Sequence, residues 1–291
     1  MLWDGSSRQI WRRWLGLAAA GLIVFTSSAT AGPLRIKKSE NPLPKAPPGA
    51  MNIRMARLIT EPDIYWQNAR KVVSSSVMEI LARDNNEMGR GISYHTIARG
   101  DSAKKEIALT FDDGPHPGYT PKLLAILKQY KVKATFFVVG DMAEKYPDLV
   151  RAEIAAGHSV GNHTYHHVNL SKLPPEYIAT EIKACGEVVR CITGKAPHLF
   201  RPPGGDYNKD VAEISTALDY TMVLWTDDPG DYASPGDHVI NNRLLQRANN
   251  GGIILIHDGI KQTLNVLPGI LKDLKGRGYK FVTIDEMLAR K

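Results

Sequence analysis

The stretch that decides the fold is Leu109-Thr110-Phe111-Asp112-Asp113-Gly114-Pro115. The residues from Ile107 to Phe111 predict a short buried strand, because they are mostly apolar, include β-branched and aromatic side chains, and end near a Gly-Pro pair. Neighbouring residues of a strand point to opposite faces, so both carboxylates reach one cleft only if the strand has already ended. Two adjacent carboxylates also repel each other. We therefore expect a cation beside Asp112 and Asp113, with its remaining ligands elsewhere in the chain.

Downstream of Glu106 the chain alternates between apolar runs and amphipathic stretches, which is typical of a parallel sheet covered by helices. About seven such units favour an α/β fold of the distorted (β/α)7 barrel type. The glycine patterns of nucleotide-binding sheets are absent from the sequence. Strands are predicted at 107–111, 134–139, 159–161, 199–200, 221–225, 253–256 and 281–283. Helices are predicted at 121–130, 147–156, 175–192, 209–218, 237–249, 264–275 and 284–289.

The 291-residue chain carries a formal net charge of +7 and is 43% hydrophobic, an ordinary composition for a globular protein. A basic balance favours anionic surroundings such as cell-wall polymer, a membrane surface or nucleic acid. Much of the excess lies near the N-terminus, and the body has no basic helix with interleaved aromatic residues. We therefore expect no nucleic-acid partner, an electrostatic association with an anionic cell envelope, and a monomer.

Residues Met1–Ala31 predict an export signal. Arginines precede the apolar run Leu15–Phe25, and Ala29-Thr30-Ala31 fits an A-x-A cleavage site. The apolar run is short for a membrane span, which needs ~20 residues. We expect a protein of the periplasm, the cell envelope or the medium, with an uncleaved membrane anchor as the alternative. Residues 32–105 are predicted to form a linker and a partly helical extension, and residues 106–291 a catalytic domain.

The only two cysteines, Cys185 and Cys191, fall six residues apart within one predicted helix. This spacing puts them on different faces and ~9 Å apart along the helix axis. A disulfide needs Cα atoms closer than ~7 Å, so a bridge requires the helix to end between them. We expect two buried thiols without a catalytic role.

Polar side chains follow five of the predicted strands. The carboxyl ends of the strands in a parallel barrel share one face, where active sites are built. We therefore expect one cleft lined by all five groups. They are Asp112-Asp113, His163-Thr164-Tyr165-His166-His167, Arg201-Pro202-Pro203-Gly204-Gly205, the segment from Trp225 to Tyr232, and His257-Asp258-Gly259.

His163 and His167 have the i, i+4 spacing that places two imidazoles on one face of a helical turn. Two histidines and one carboxylate are a common set of ligands for catalytic zinc, which keeps a position open for water or substrate. His166 is an alternative to His167, because the i, i+3 spacing from His163 also allows a shared face. The sequence therefore predicts a metal site near the two aspartates.

These groups resemble the motifs of the polysaccharide deacetylase (NodB-homology) family, which is carbohydrate esterase family 4. The similarity extends from about Glu106 to Ala289, nearly two thirds of the chain. It implies a distorted barrel of seven or so βα units, in agreement with the alternation of strands and helices. The five motifs are, in order, Thr110-Phe111-Asp112-Asp113-Gly114, His163-x-x-x-His167, Arg201-Pro202-Pro203, Asp228-x-x-Asp231 and Leu255-Ile256-His257.

The resemblance implies roles for the first three motifs. It makes Asp113, His163 and His167 the ligands of a divalent metal, with zinc expected and cobalt or nickel as alternatives. It makes Asp112 the general base that takes a proton from water. Arg201 is then the cation paired with that base, which has to stay ionised without being a ligand.

The last two motifs are implied to supply the proton donor. His257 corresponds to the acid that protonates the leaving amine, and Asp231 to the carboxylate that orients it and favours the imidazolium form. The chain departs from the family pattern by having Gly204-Gly205 after the arginine motif and Val168 after the second metal histidine. These positions bear on substrate identity, and the glycine pair is expected to form a tight turn. Four residues are expected to contact substrate: Leu255, Tyr232, Pro203 and Tyr207.

The sequence thus predicts an exported, metal-dependent hydrolase that removes N-acetyl groups from amino sugars of a polysaccharide. Peptidoglycan, chitin-like oligomers and poly-N-acetylglucosamine are the candidate substrates. One alternative is an O-acetyl esterase acting on a polysaccharide such as acetylated xylan, since an ester has the better leaving group. The other is a glycan-binding protein without catalysis.

Overall fold

The computed structural model describes residues 94–290 together with Ser76, Met78, Glu79, Ala82 and Arg83. The predicted export signal, the linker and most of the predicted N-terminal helix lie outside these residues. Within the described residues, no helix has the length and apolar character needed to cross a membrane.

The described chain forms one parallel sheet surrounded by helices, and the predicted alternation is confirmed. The strand order is β1-β6-β5-β4-β3-β2-β7, with β8 beside the first residues of β2. The strands are β1 (Thr96–Ile97), β2 (Glu106–Gly114), β3 (Thr135–Val138), β4 (Ser159–Asn162), β5 (Leu199–Phe200), β6 (Thr221–Val223), β7 (Gly252–His257) and β8 (Lys280–Val282). The helices are α1 (Thr120–Gln129), α2 (Gly140–Lys145), α3 (Pro147–Ala155), α4 (Pro175–Thr193), α5 (Lys209–Ala217), α6 (Asp237–Arg247), α7 (Lys261–Gly276) and α8 (Ile284–Leu288).

The residues that follow β6 close the sheet into a barrel. Asp227 forms an isolated parallel bridge with Ile254 of β7. Leu255 N–H donates to the Asp227 carbonyl and Thr226 N–H to the Ile253 carbonyl, both at 2.9 Å. These bonds join the end of the sheet that holds β6 to the end that holds β7. The distorted barrel expected from the sequence is therefore confirmed.

Among the strands and α-helices from residue 94 onward, two were not predicted from the sequence. Strand β1 has two residues and pairs with β6, so the sheet includes residues that precede position 106. Helix α2 has six residues, starting at Gly140. Neither element is long enough for its side chains to repeat a periodic pattern, which is the main signal that a sequence offers.

Strand β2 does not stop at Phe111, as the sequence suggested, but continues to Gly114. Its register with β3 shifts between Phe111 and Gly114, and Asp113 has a φ of 71°, in the left-handed region. Such a bulge interrupts the alternation of side chains and re-aims one of them. The bulge, rather than the end of the strand, is what lets the two aspartates share a cleft.

The side chains of β2 alternate between the two faces of the strand, which separates the polar site from the outer core. Leu109 and Phe111 are buried in the cluster that also contains Leu127 of α1 and Ile270 of α7. Thr110 and Asp112 alternate with them, so their side chains point to the other face of the strand. Burial of the apolar residues against the helices therefore fixes the face on which Asp112 appears.

Both cysteines lie in α4, which runs without a break from Pro175 to Thr193, and neither is bridged. Cys185 is buried, so the expectation of a buried thiol is confirmed there. For Cys191 it is wrong, because that residue is exposed on the outer face of the helix.

Candidate active site

Asp113, His163 and His167 come together at the carboxyl ends of β2 and β4. Their ligand atoms all lie within 4.8 Å of one another, and all three residues are buried. Nε2 of His167 lies 3.0 Å from Asp113 Oδ1, and Nε2 of His163 lies 3.4 Å from the same oxygen. One carboxylate oxygen and two imidazole nitrogens thus face a common point.

The hydrogen bonds of this group suit a metal site. His163 Nδ1 lies 2.8 Å from the Arg201 carbonyl, which can only accept, so Nδ1 carries the proton and Nε2 presents its lone pair. Asp113 Oδ1 is buried and has no hydrogen-bond partner among the described residues. Buried acceptors are rarely left without a partner. One carboxylate and two histidines are an established donor set for zinc and similar ions, so the three residues fit a divalent metal.

The choice between the two neighbouring histidines is decided by their partners. His167 faces Asp113, whereas the His166 side chain is 61% exposed and its Nδ1 lies 2.6 Å from Glu181 Oε1. The i, i+4 pair is therefore the one that meets the carboxylate, and His166 turns outward to α4.

The backbone around these residues adopts unusual conformations. Thr164 and His167 have φ values of 65° and 54°, in the left-handed region, which costs on the order of 1–3 kcal/mol per non-glycine residue. Asn162 holds this segment, because its Oδ1 accepts from Thr164 N–H at 2.9 Å and its Nδ2 donates to the Ile182 carbonyl at 2.7 Å. The loop conformation is thus set by a buried amide on the preceding strand.

Asp112 forms a buried ion pair with Arg201. Arg201 Nη1 lies 2.7 Å from Asp112 Oδ1, and the guanidinium is fully buried. Nη1 also donates to Thr110 Oγ1 at 2.8 Å, and Nε donates to the Val223 carbonyl at 3.0 Å. The guanidinium carbon lies 4.2 Å from the centroid of the Phe137 ring. Asp112 Oδ2 points toward His163 Nε2 at 3.6 Å, too far for a hydrogen bond. The arrangement holds Asp112 as an anion with one oxygen available.

His257 and Asp231 form a second buried pair. His257 Nδ1 lies 2.7 Å from Asp231 Oδ1, and the His257 backbone N–H donates to Oδ2 at 2.8 Å. The hydroxyl of Thr263 on α7 also donates to Oδ2, at 2.5 Å. Burial lowers the pKa of His257, but Asp231, with smaller effects from Asp113 and Asp112, outweighs it and raises the pKa to about 10. His257 is therefore an imidazolium at neutral pH, with Nε2 left to donate a proton.

The two pairs are neighbours in the sheet. Asp112 and His257 are register partners in the parallel strands β2 and β7. The next residue, Asp258, donates its N–H to the Asp112 carbonyl at 2.9 Å. Asp112 and His257, the candidate base and acid, thus lie on neighbouring strands, and Asp113 of the candidate metal site follows Asp112 on β2.

The four expected substrate contacts differ in accessibility. Leu255 and Pro203 are buried, and Tyr232 is half-buried with its ring 5.4 Å from the His257 ring, edge to face. Tyr207 is buried in the hydrophobic core. Contact of these four residues with substrate stays a prediction.

The glycine pair after Arg201 forms a 3-10 turn over Pro203–Gly205. Gly204 and Gly205 both have a φ of 65°. A Cβ added to Gly205 would lie 2.4 Å from the Trp225 ring. The second glycine is therefore required by close packing against the tryptophan, in addition to its left-handed backbone.

Several residues that hold the candidate catalytic side chains were not predicted from the sequence. Thr110 is the first residue of the first motif and Asn162 directly precedes His163, and that adjacency was the available signal. Asp258 also follows a motif residue, and its carboxylate accepts a short hydrogen bond from Thr120. Thr263 lies in a helix with no local pattern that points to Asp231. Its role follows only from the tertiary structure.

Comparison with known proteins agrees with this geometry. The sequence profile of the family described as polysaccharide deacetylase matches residues 99–223. A peptidoglycan-N-acetylglucosamine deacetylase of Bacillus cereus is 42% identical over 193 residues, which cover 65% of this chain and 90% of that protein. The peptidoglycan-N-acetylmuramic acid deacetylase PdaA of Bacillus subtilis is 34% identical over 202 residues, 68% of this chain and 77% of PdaA.

A solved structure shows the same fold. The crystal structure of the Bc1960 peptidoglycan N-acetylglucosamine deacetylase superposes with a TM-score of 0.65 at 36% identity, covering 67% of this chain and 92% of that one. The chain therefore belongs to the polysaccharide deacetylase family, carbohydrate esterase family 4. It is an enzyme of that class, a hydrolase of N-acetyl amide bonds.

Proposed function

We propose that this protein is an exported, metal-dependent deacetylase that removes N-acetyl groups from the amino sugars of peptidoglycan. The observation that carries the proposal is the pairing of Asp112 with Arg201 beside His257 with Asp231, next to the Asp113, His163 and His167 group. The complete set of charged groups speaks against a binding protein that lacks catalysis. The relatives named peptidoglycan deacetylases favour this glycan among the candidate substrates.

The reaction divides between the two buried pairs. Water adds to the carbonyl carbon of the acetamido group while Asp112 takes a proton from that water. Arg201 keeps Asp112 ionised before the transfer, and the free oxygen of the carboxylate is the proton acceptor. The C–N bond then breaks as His257 gives its Nε2 proton to the departing nitrogen, and Asp231 stabilises the imidazolium until that transfer. The products are acetate and a free amino sugar.

Asp113, His163 and His167 would hold the divalent ion, which we propose is zinc. When bound, such an ion supplies Lewis acidity that polarises the amide carbonyl and makes water a better nucleophile. His163 is pre-oriented for this task by its bond to the Arg201 carbonyl, so the partner of the base also orients one of the ligands.

The test is acetate release from a defined peptidoglycan fragment, a chitin oligomer and acetylated xylan, with and without a chelator. We expect release from the peptidoglycan fragment, loss of release on chelation, and recovery on adding zinc. Faster turnover of the xylan ester at matched concentration would favour the O-acetyl esterase instead. Activity that survives complete removal of metal would contradict metal dependence.

The division of labour between the two aspartates is tested by a pair of variants. Asp112→Asn is expected to keep stoichiometric metal, measured by elemental analysis, while turnover falls by about 10²-fold or more, as for the loss of a general base. Asp113→Asn is expected to lose both metal and turnover, because a ligand is removed. The opposite pattern would exchange the two assignments.

The N-terminal sequence Met1–Ala31 supports export, and the net charge of +7 supports an electrostatic association with an anionic envelope. We propose that the enzyme acts as a monomer. Fractionation of cells that express the full chain, with Arg12 and Arg13 both replaced by Glu as a comparison, tests the first point. Wild-type protein retained in the cytoplasm would contradict export.

A further inference from the structure

Arg83 contacts the active-site face of the barrel from outside the region that matches the family. It precedes residue 99, where the family match begins. Its Nη1 donates to the Tyr207 carbonyl at 2.8 Å, and its guanidinium carbon lies 4.6 Å from the centroid of the Tyr207 ring. Nη1 also lies 4.0 Å from Asp206 Oδ1. One guanidinium thus engages both the backbone and the ring of the same tyrosine.

Asp206 connects this contact to the loop that follows His167. Its Oδ2 lies 2.8 Å from Asn169 Nδ2 and 2.6 Å from Ser171 Oγ, and both groups donate to it. Asn208 Nδ2 donates in turn to the Ser171 carbonyl at 3.2 Å. Asn169 is two residues after His167. The network therefore ties the turn after β5 to the loop that carries a metal-ligand candidate.

We propose that Arg83 is a positioning residue that fixes the rim turn, residues 203–207, and thereby sets the affinity of the site for the glycan chain. The inference rests on the deacetylase function proposed above. Pro203 at one end of this turn is an expected substrate contact, and Tyr207 at the other end is buried in the hydrophobic core, where it anchors the turn. Holding the turn in one conformation removes the ordering cost that substrate binding would otherwise carry.

Arg83→Ala is expected to raise KM for an acetylated peptidoglycan fragment about three- to tenfold and to leave kcat within about twofold. The lost hydrogen bond and the lost cation–π contact at a part-buried site each amount to a few-fold in an equilibrium constant. The groups that move protons are not touched, so the split between KM and kcat separates positioning from general loss of structure. A small ester such as p-nitrophenyl acetate, which does not reach the rim, is expected to be hydrolysed as in the wild type.

Arg290→Ala is the matched control. Arg290 Nη1 lies 2.7 Å from Glu106 Oε1, and its side chain is 39% exposed against 29% for Arg83. Glu106 is the first residue of β2, at the opposite end of that strand from Asp112. A KM in Arg83→Ala equal to that in Arg290→Ala would overturn the proposal. So would a fall in kcat and Tm that accounts for the whole loss of activity.

Failure of the proposed function would be visible separately. If the wild type releases no acetate from any glycan, the deacetylase reaction is refuted. The effect of Arg83 on the rim turn is still measurable by amide hydrogen exchange of the full chain. We expect exchange to accelerate at residues 169–172 and 203–208 in Arg83→Ala and not in Arg290→Ala. Unchanged exchange in both segments would refute the positioning role of Arg83, whether or not the enzyme is a deacetylase.

Discussion

Replacing Arg201 with Met should be the most damaging single change outside the metal-ligand group. The guanidinium is fully buried and pairs with Asp112, which is 3% exposed, so the substitution leaves a carboxylate in the interior without its cation. Breaking one partner of a buried ion pair typically costs ~3–5 kcal/mol. The Val223 carbonyl and Thr110 Oγ1 also lose a donor, which places the expected loss at the upper end of that range.

Urea unfolding at pH 7 in excess chelator measures this loss without a contribution from bound metal. Asp112→Asn and the double variant complete a thermodynamic cycle. The two single losses should exceed the loss in the double variant by ~1–3 kcal/mol, because the second change removes the charge that the first leaves unpaired. None of the three variants should deacetylate at more than a few per cent of the wild-type rate. A cost below ~1 kcal/mol for Arg201→Met, or strict additivity, would refute the ion pair as the support of the base.

Three other predictions concern the acid, the rim turn and an unused buried carboxyl. Asp231→Asn removes the main charge that raises the pKa of His257 to about 10. The pKa of the alkaline limb in the pH profile of kcat/KM should therefore fall by two units or more. An unchanged alkaline limb would mean that a group other than His257 causes it. Gly205→Ala should lower the free energy of unfolding by ~1–3 kcal/mol more than the control Gly194→Ala, because position 194 has a similar positive φ but open space around an added Cβ. Equal Tm values for the two variants would contradict the packing argument. Glu153 is fully buried, and neither of its carboxylate oxygens has a hydrogen-bond partner among the described residues. Burial, followed by the charge of Asp258, raises its pKa well above the usual range. The folded state then holds a proton that the unfolded state releases above pH ~4.3, so Glu153 lowers the free energy of unfolding as pH rises. Glu153→Met should therefore stabilise the protein more at pH 8 than at pH 5. A stabilisation that does not depend on pH would contradict this account.

Much of the fold could be predicted because its elements have regular patterns. Among the described residues from 94 onward, the seven strands from β2 to β8 and seven of the eight α-helices lie where apolar runs and helical spacing placed them. The carboxyl ends of parallel strands share one face, so the five polar groups could be assigned to one cleft without any coordinates. The roles themselves came from the resemblance to a family.

The parts that escaped prediction depend on tertiary contacts. The bulge at Asp113 arises from the pairing of β2 with β3, and no local residue pattern predicts it. Thr263 meets Asp231 only after α7 has packed. The exposure of Cys191, by contrast, could have been foreseen. Two residues six apart on one helix face different directions, so both could be buried only in a helix covered on most sides.

The pairing of β2 with β7 has a consequence for redesign. Asp112 and His257, the proposed proton acceptor and proton donor, are register partners on neighbouring strands, so their separation follows from the spacing of a sheet, about 4.8 Å between chains. The loops do not determine that distance. The turns at the barrel mouth can therefore be exchanged to suit another sugar while the acid–base distance stays constant. A chimaera that keeps β2, β7 and the segments carrying His163, His167, Arg201 and Asp231, and takes its other loops from a relative, should inherit the chemistry and change its choice of glycan.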